Sequence, residues 1–251
     1  MVVTIVHDIT ERMIVERRKD AFISMASHEL KTPVTSLKGF TNILQRRLTR
    51  QGDAQGLHYL ARMDAQLDRL TALVSELLDI SRMQTGKLPL REEPVALDTL
   101  LEETVEAMQA TTVTHRLLIE GSTGAQVMGD QERLRQVFVN LLTNAIKYSS
   151  NADRIIVRLV RDDAGRQAIV SVQDFGIGIN KEHHEHIFER FYQVADAEEK
   201  TYPGLGIGLY ISREIVERHL GHLWVESSKG HGTTFFVALP LLSASDQADL
   251  G

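Results

Sequence analysis

His28 and Glu29 stand side by side in the segment Ser27-His28-Glu29-Leu30-Lys31-Thr32-Pro33. A neutral imidazole works as a nucleophile when a carboxylate fixes its tautomer or takes its proton, and Glu29 can do either. Thr32 follows Glu29 by three residues, on the same helical face, where its hydroxyl can position a water. Pro33 deletes a backbone donor and bends a helix just past the imidazole. An exposed histidine taken alone is an ordinary surface residue. Its chemistry has to come from its neighbours and from a group elsewhere in the chain that it could attack.

Four later segments could hold such a group. In Asn140-Leu-Leu-Thr-Asn144-Ala-Ile-Lys147-Tyr148 the two asparagines lie one helical turn apart, so their amide oxygens share a face suited to a hard cation such as Mg²⁺. Lys147 can reach a phosphate and Tyr148 can cover a base, although two asparagines on an apolar helix can equally be capping or surface residues. In Asp174-Phe-Gly176-Ile-Gly178-Ile the carboxylate can accept from a base amino group while the glycines admit a ligand close to the backbone. Tight turns use the same residues. Gly204-Leu-Gly206-Ile-Gly208-Leu precedes a helical pattern, so its amides can cradle phosphate at a positive helix end. A dinucleotide fold would need repeated strand–helix units and a distal acid, which are missing. Ile187-Phe-Glu-Arg190-Phe191 offers aromatics for packing and an arginine that either meets phosphate or is simply exposed, and Thr233 follows Gly230-His-Gly232. His183, His184 and His186 do not form a single-face ligand set and read as a solvated turn.

The elements that must position these residues fall into two groups. Apolar positions Ile23, Ala26, Leu30, Val34, Leu37, Thr41, Leu44 and Leu48 recur at steps of three and four, and Leu60, Met63, Leu67, Leu70, Val74 and Leu77 do the same. His28 lies about 200° around the helix from both Ala26 and Leu30, so it faces solvent. With a turn at 50–56, the two stripes predict an antiparallel helical hairpin. Two such hairpins bury their stripes best as a dimeric four-helix bundle. The segment 85–94, with its glycine and prolines, reads as a linker. Beyond it, helices at 96–108, 131–148 and about 205–219 mix with strands at 116–120, 155–161, 168–173, 222–226 and 233–238. This predicts an α+β chain whose second part is an α/β two-layer sandwich. Residues 193–203 read as a lid, and 242–251 as a disordered tail.

Composition narrows the classes. The 28 basic and 34 acidic side chains give a net charge of −6, which argues against a nucleic-acid footprint. With no cysteine there is neither a disulfide framework nor a thiolate metal site. No apolar run approaches the roughly 20 residues of a membrane span, so no membrane contact is expected within this segment.

The string FISMASHELKTPVTSLKGF resembles the H box of the sensor histidine kinase family. Asn140–Tyr148, Asp174–Ile179, Ile187–Phe191 and Gly204–Gly208 resemble its N, G1, F and G2 boxes, all in the family's order. The opening residues, a β-branched run then Asp8 and a charged helical pattern, resemble the end of a PAS sensor domain and its exit helix. They fit an unremarkable N-terminal strand as well. The resemblance implies a PAS-exit segment at 1–19, a dimerisation and phosphotransfer hairpin at 20–84, and an ATP-binding domain of the Bergerat type at 95–241. It implies ATP and Mg²⁺ as cofactors: Asn144 and Asn140 on the metal, Lys147 on phosphate and Tyr148 over the base. Asp174 and Thr233 would sit at adenine, and Gly176, Gly178, Gly204, Gly206 and Gly208 in the loops. It also implies His28 as the phosphorylated residue, Glu29 as its acid/base, and Glu29 with Thr32 as an E-x-x-T phosphatase motif. The expected partners are a second copy of the chain, a response regulator receiver domain and an upstream sensor domain, in the cytoplasm. The alternatives are a phosphatase-dominant protein, a silent dimeric adaptor, or a gyrase- or chaperone-like ATPase. The last would carry a carboxylate where this chain has Asn140.

Overall fold

The computed structural model describes residues 30, 33–84, 90–124, 126–149, 152–162, 164, 166–194 and 206–242. They belong to two compact units, divided between Leu88 and Pro89. The opening strand and exit helix of the sequence reading lie outside the described residues, as do His28, Glu29 and Thr32.

The first unit is the helical hairpin. Helix α1 runs through 33–51 and α2 through Ala54–Gln84. The connection is tighter than the seven-residue turn expected at 50–56, because Gly52 takes a left-handed φ of 68° that ends α1. Asp53 then caps α2, its Oδ1 accepting from the Gly56 amide at 2.8 Å. The helices are antiparallel: Thr41 Oγ1 donates to Asp64 Oδ1 at 3.1 Å, and Lys38 pairs with Asp68. The apolar stripe read as a single seam is divided between two directions. Val34, Thr41, Leu60, Val74 and Leu78 are buried between the helices, whereas Leu37, Phe40, Ile43, Leu44, Tyr59, Met63 and Leu70 are exposed.

The second unit opens on β1 (Glu93–Ala96), which pairs antiparallel with β3 (Gln126–Gly129). Glu93 and Pro94, expected in the linker, thus already belong to a strand. The main sheet has the order β2-β4-β5-β7-β6, with β2 (Arg116–Gly121), β4 (Arg154–Arg161), β5 (Gln167–Gln173), β6 (His222–Ser227) and β7 (Thr233–Pro240). The β2–β4 pair is parallel and the other neighbours are antiparallel. Helices α3 (Leu97–Gln109), α4 (Gln131–Tyr148) and α5 (Gly208–Arg218) form the second layer. Their stripes, including Leu100, Leu101, Leu134, Phe138, Leu141 and Ile215, are buried with Ile155, Val157, Val170, Val172 and Val237 of the sheet. The period changes from 3.6 to 2 where helix gives way to strand, which makes the two layers complementary. On the other sheet face Trp224 stacks on Phe236, ring centroids 5.0 Å apart, and on His222 at 5.5 Å.

Phe138 is fully buried in this core. Replacing it with alanine removes a ring that no neighbour can fill and should cost about 3–5 kcal/mol. Urea unfolding followed through the fluorescence of the single tryptophan, Trp224, measures this.

Candidate functional site

Helix α4 carries four of the candidate residues, and both of its ends are fixed. At its start, Asp130 accepts from the Arg133 amide at 3.1 Å through Oδ1 and from the Arg91 amide at 3.1 Å through Oδ2. A buried His219 also holds this corner: its Nε2 accepts from the Asp130 amide at 2.9 Å. At the other end Ser149 is fully buried, its hydroxyl 2.9 Å from His115 Nε2. The helix ends against the loop that follows β5. The Ile177 amide donates to the Tyr148 carbonyl at 3.2 Å, and a Cβ on Gly176 would collide with that same carbonyl.

That loop, 174–180, is pinned on its other side to the β6–β7 turn. Gly230 donates to the Ile177 carbonyl at 2.7 Å, and Ile179 donates to Ser227 Oγ at 2.8 Å. Gly178 has a φ of 66°, and a side chain there would strike the Ser228 carbonyl; both facts demand glycine. Asp174 is 4% exposed. Its Oδ1 accepts from the Gly176 amide at 2.9 Å and from the Thr233 amide at 3.2 Å. Burial raises its carboxyl above the ordinary aspartate range, and the two amide bonds partly offset this. Among the described residues no donor reaches Oδ2. A buried carboxylate with one bare oxygen is a ready acceptor for an amino group on a flat ring. Thr233 is brought to the same place, its backbone on Asp174 and its hydroxyl 3.0 Å from Ser227 Oγ.

Asn144 is half-buried on the face of α4 one turn before Tyr148, and its amide has no partner among the described residues. Asn140 is placed differently: its Nδ2 donates to Ser212 Oγ of α5 at 2.9 Å. Lys147 Nζ lies 4.8 Å from the centre of the Tyr148 ring. Gly208 opens α5 without a side-chain cap, leaving the helix-start amides available to an anion. Gly206, at a φ of 68°, accepts from the Phe191 amide at 3.0 Å. Gly204 lies outside the described residues, with most of the expected lid.

The remaining candidates pack elsewhere. Arg190 donates to the Tyr210 hydroxyl at 2.7 Å and lies over that ring at 4.6 Å. Phe188 is buried edge-on to Phe235. The three histidines of 183–186 have three separate partners, Tyr192, the Ile179 carbonyl and Glu189, and no metal-holding cluster occurs among the described residues. An open cavity of about 540 Å³ beside β6 is lined by Asn180, Lys181, His184 and Lys229, and by Ile179 and Ser227, which also brace the Asp174 loop; Asp174 itself does not line it. Residues absent from the sequence reading are Asp130, His115, Ser149, Ser212 and Ser227. Asp130 had a readable signal, an acid directly before a strong helical pattern; the others are polar residues whose partners lie far away in sequence.

Comparison with known proteins assigns the two units. Residues 18–86 match the family model of the His Kinase A phospho-acceptor domain. Residues 129–243 match that of the histidine kinase-, DNA gyrase B-, and HSP90-like ATPase. The phospho-acceptor domain separates the histidine kinases from the gyrase and chaperone branches. The chain belongs to the sensor histidine kinase family. Among curated relatives of this kinase, the "Sensor protein kinase WalK" of Staphylococcus saprophyticus is 31% identical over 239 residues, covering 95% of this chain and 39% of that protein. The WalK of Staphylococcus haemolyticus is 32% identical over 240 residues, with the same coverage. The chain thus spans about two fifths of the length of the curated relatives it matches first. Full-length ShkA, solved in complex with AMPPNP, superposes with a TM-score of 0.72 at 26% identity, over 89% of this chain and 46% of that one. The mycobacterial sensor histidine kinase MprB gives 0.52 at 28% identity, over 60% and 98%.

Asp174→Asn tests whether this buried carboxylate is the base acceptor expected from the sequence. Because burial holds the folded carboxyl above its unfolded range, the ionised form is penalised, and wild-type stability falls as pH rises through that raised range. At neutral pH the amide should therefore raise the melting temperature. It should also weaken ATP binding by about tenfold or more, the scale of one lost charged hydrogen bond. Calorimetry and a thermal melt read both. A variant that melts lower and binds ATP normally would contradict the assignment.

Proposed function

We propose that this segment is the autokinase core of its protein: it binds ATP with Mg²⁺ in the second unit and phosphorylates His28 in the first. The observation that carries the ATP reading is the buried Oδ2 of Asp174, which no donor reaches among the described residues. The residues present also fit the cation. The Asn144 amide has no partner among the described residues, Asn140 is its neighbour one turn away, and Mg²⁺ takes oxygen ligands alongside phosphates and water. When bound, the ion would neutralise charge on the triphosphate. Lys147 would add a positive charge, Tyr148 would cover the base beside Thr233, and the Gly206–Gly208 backbone, with Gly204, would line the phosphates.

In the transfer, a bond forms from a His28 ring nitrogen to the γ-phosphorus as the bond to the ADP oxygen breaks. The imidazole proton passes to Glu29, and ADP leaves. Catalysis of this kind is chiefly positioning and charge neutralisation. The roles of His28, Glu29 and Thr32 rest on the H-box sequence and the phospho-acceptor match. The phosphohistidine then donates to an aspartate on a response regulator receiver domain, and Thr32 with Glu29 supports removal of that phosphate. An upstream sensor domain and a cytoplasmic setting complete the reading. No described helix is long and apolar enough to cross a membrane.

The exposed stripe on the hairpin, Leu37 at 49% and Leu44 at 43% among it, supports a homodimer in which two hairpins cover each other. Replacing both leucines with glutamate should convert the dimer to monomer in light scattering. Incubation with labelled ATP should put acid-labile phosphate on the wild type and none on His28→Ala. Label that persists in that variant would move the acceptor elsewhere. Thr32→Ala should slow dephosphorylation of the regulator and leave autophosphorylation near wild type; equal loss of both would refute the division.

A further inference from the structure

Ser212 is a hydroxyl buried on an otherwise apolar helix face. It lies on the inner stripe of α5, 1% exposed, among Ile211, Ile215 and Val216. Serine inside a helix is less favourable than alanine, because its hydroxyl competes for backbone groups. An alanine would fill the same space. The hydroxyl accepts from Asn140 Nδ2 at 2.9 Å, across the α4–α5 interface.

An asparagine amide has two unlike ends, an NH₂ that only donates and an oxygen that only accepts. The bond to Ser212 engages the NH₂, and the oxygen is on the other side of the amide. It lies against the backbone of Gly208, so close that a Cβ there would collide with Oδ1. Gly208 is the first residue of α5. The Asn140 oxygen is therefore presented at the amide-rich start of that helix, the place where a triphosphate and its counter-cation are expected. A hydroxyl can bond either end of an amide, so what the contact with Ser212 fixes is where the Asn140 side chain lies, held across the interface beside the start of α5.

We propose that Ser212 is a positioning residue that tethers the Asn140 side chain across the α4–α5 interface and so holds its oxygen beside Gly208, where the cation of bound ATP is expected. Gly208 serves the same end by leaving room for that oxygen. This rests on the reading of the second unit as an ATP–Mg²⁺ site and names a residue of that site outside every sequence motif.

The test is calorimetric titration of the full chain with ATP, once with MgCl₂ and once with EDTA, for the wild type, Ser212→Ala and Ser212→Cys. A lost orienting partner weakens metal-dependent affinity by about tenfold or more. In Ser212→Ala the dissociation constant with Mg²⁺ should rise by that factor, while the value in EDTA stays within about twofold. Ser212→Cys, whose thiol is a weaker acceptor of similar size, should fall between. If Ser212→Ala fails the thermal melt, the same comparison is made between wild type and Ser212→Cys. Equal weakening under both conditions would make the hydroxyl a packing element, and no weakening under either would make it idle; each overturns the proposal. A wild type that binds ATP no better with Mg²⁺ than without it would sink the underlying site reading, which separates that failure from the failure of Ser212's role.

Discussion

A single carboxylate oxygen holds the site end of the sandwich together. Asp174 Oδ1 takes the amides of Gly176 and Thr233 at once. It thereby joins the end of β5, the glycine loop after it and the start of β7. Such a group must be buried to be selective, and burial works against its charge. The two amides make the burial tolerable without using the second oxygen. The loop is then closed on both flanks, by the Tyr148 carbonyl on one side and Ser227 and Gly230 on the other. What looks like a flexible glycine run in sequence is a tightly bound turn.

The sequence exposes residue types and local periods, and these sufficed for much of the fold. Helix α4 was legible because Leu134, Val137, Phe138, Leu141, Leu142 and Ala145 fall on one side at helical spacing. The pairing of β4 with β5 was legible from the turn residues Asp162-Asp163-Ala164-Gly165 between two apolar strands. Strands β1 and β3 were missed: at four residues each they are too short for a period to declare itself, and a proline in β1 reads as a linker. The same limit governs the site. The loops and asparagines declare themselves by type, whereas Ser212, Ser149 and His115 acquire meaning only from partners at a distance. Arg190, open to either reading in sequence, is committed by the fold to Tyr210.

The hairpin shows why a stripe is not yet a seam. Heptad spacing fixes a helical face but not the number of neighbours it meets. Val34 and Thr41 turn inward to α2 while Leu37 and Leu44, three residues further on each time, turn away. One period therefore serves an intramolecular contact and an apolar face open to solvent. Polar pairs such as Thr41 with Asp64 fix the register of the inner contact, a task that leucines alone perform poorly.

The parallel pairing of β2 with β4 has a mechanical consequence. Parallel neighbours cannot be joined by a hairpin, so the chain must leave one strand, cross a face and re-enter beside it. Helix α4 is the helical part of that crossing, entered from β3 of the small sheet and leading on to β4 of the main one. Its ends are pinned at Asp130 and Ser149, so one wall of the proposed nucleotide site is a fixed beam. Helix α5 continues into the outermost strand, β6, and is tied to that beam by Ser212 at Asn140 and, just past its end, by His219 at the Asp130 amide. An occupant would therefore meet two helices that brace each other, and adjustment would fall to the loops around them.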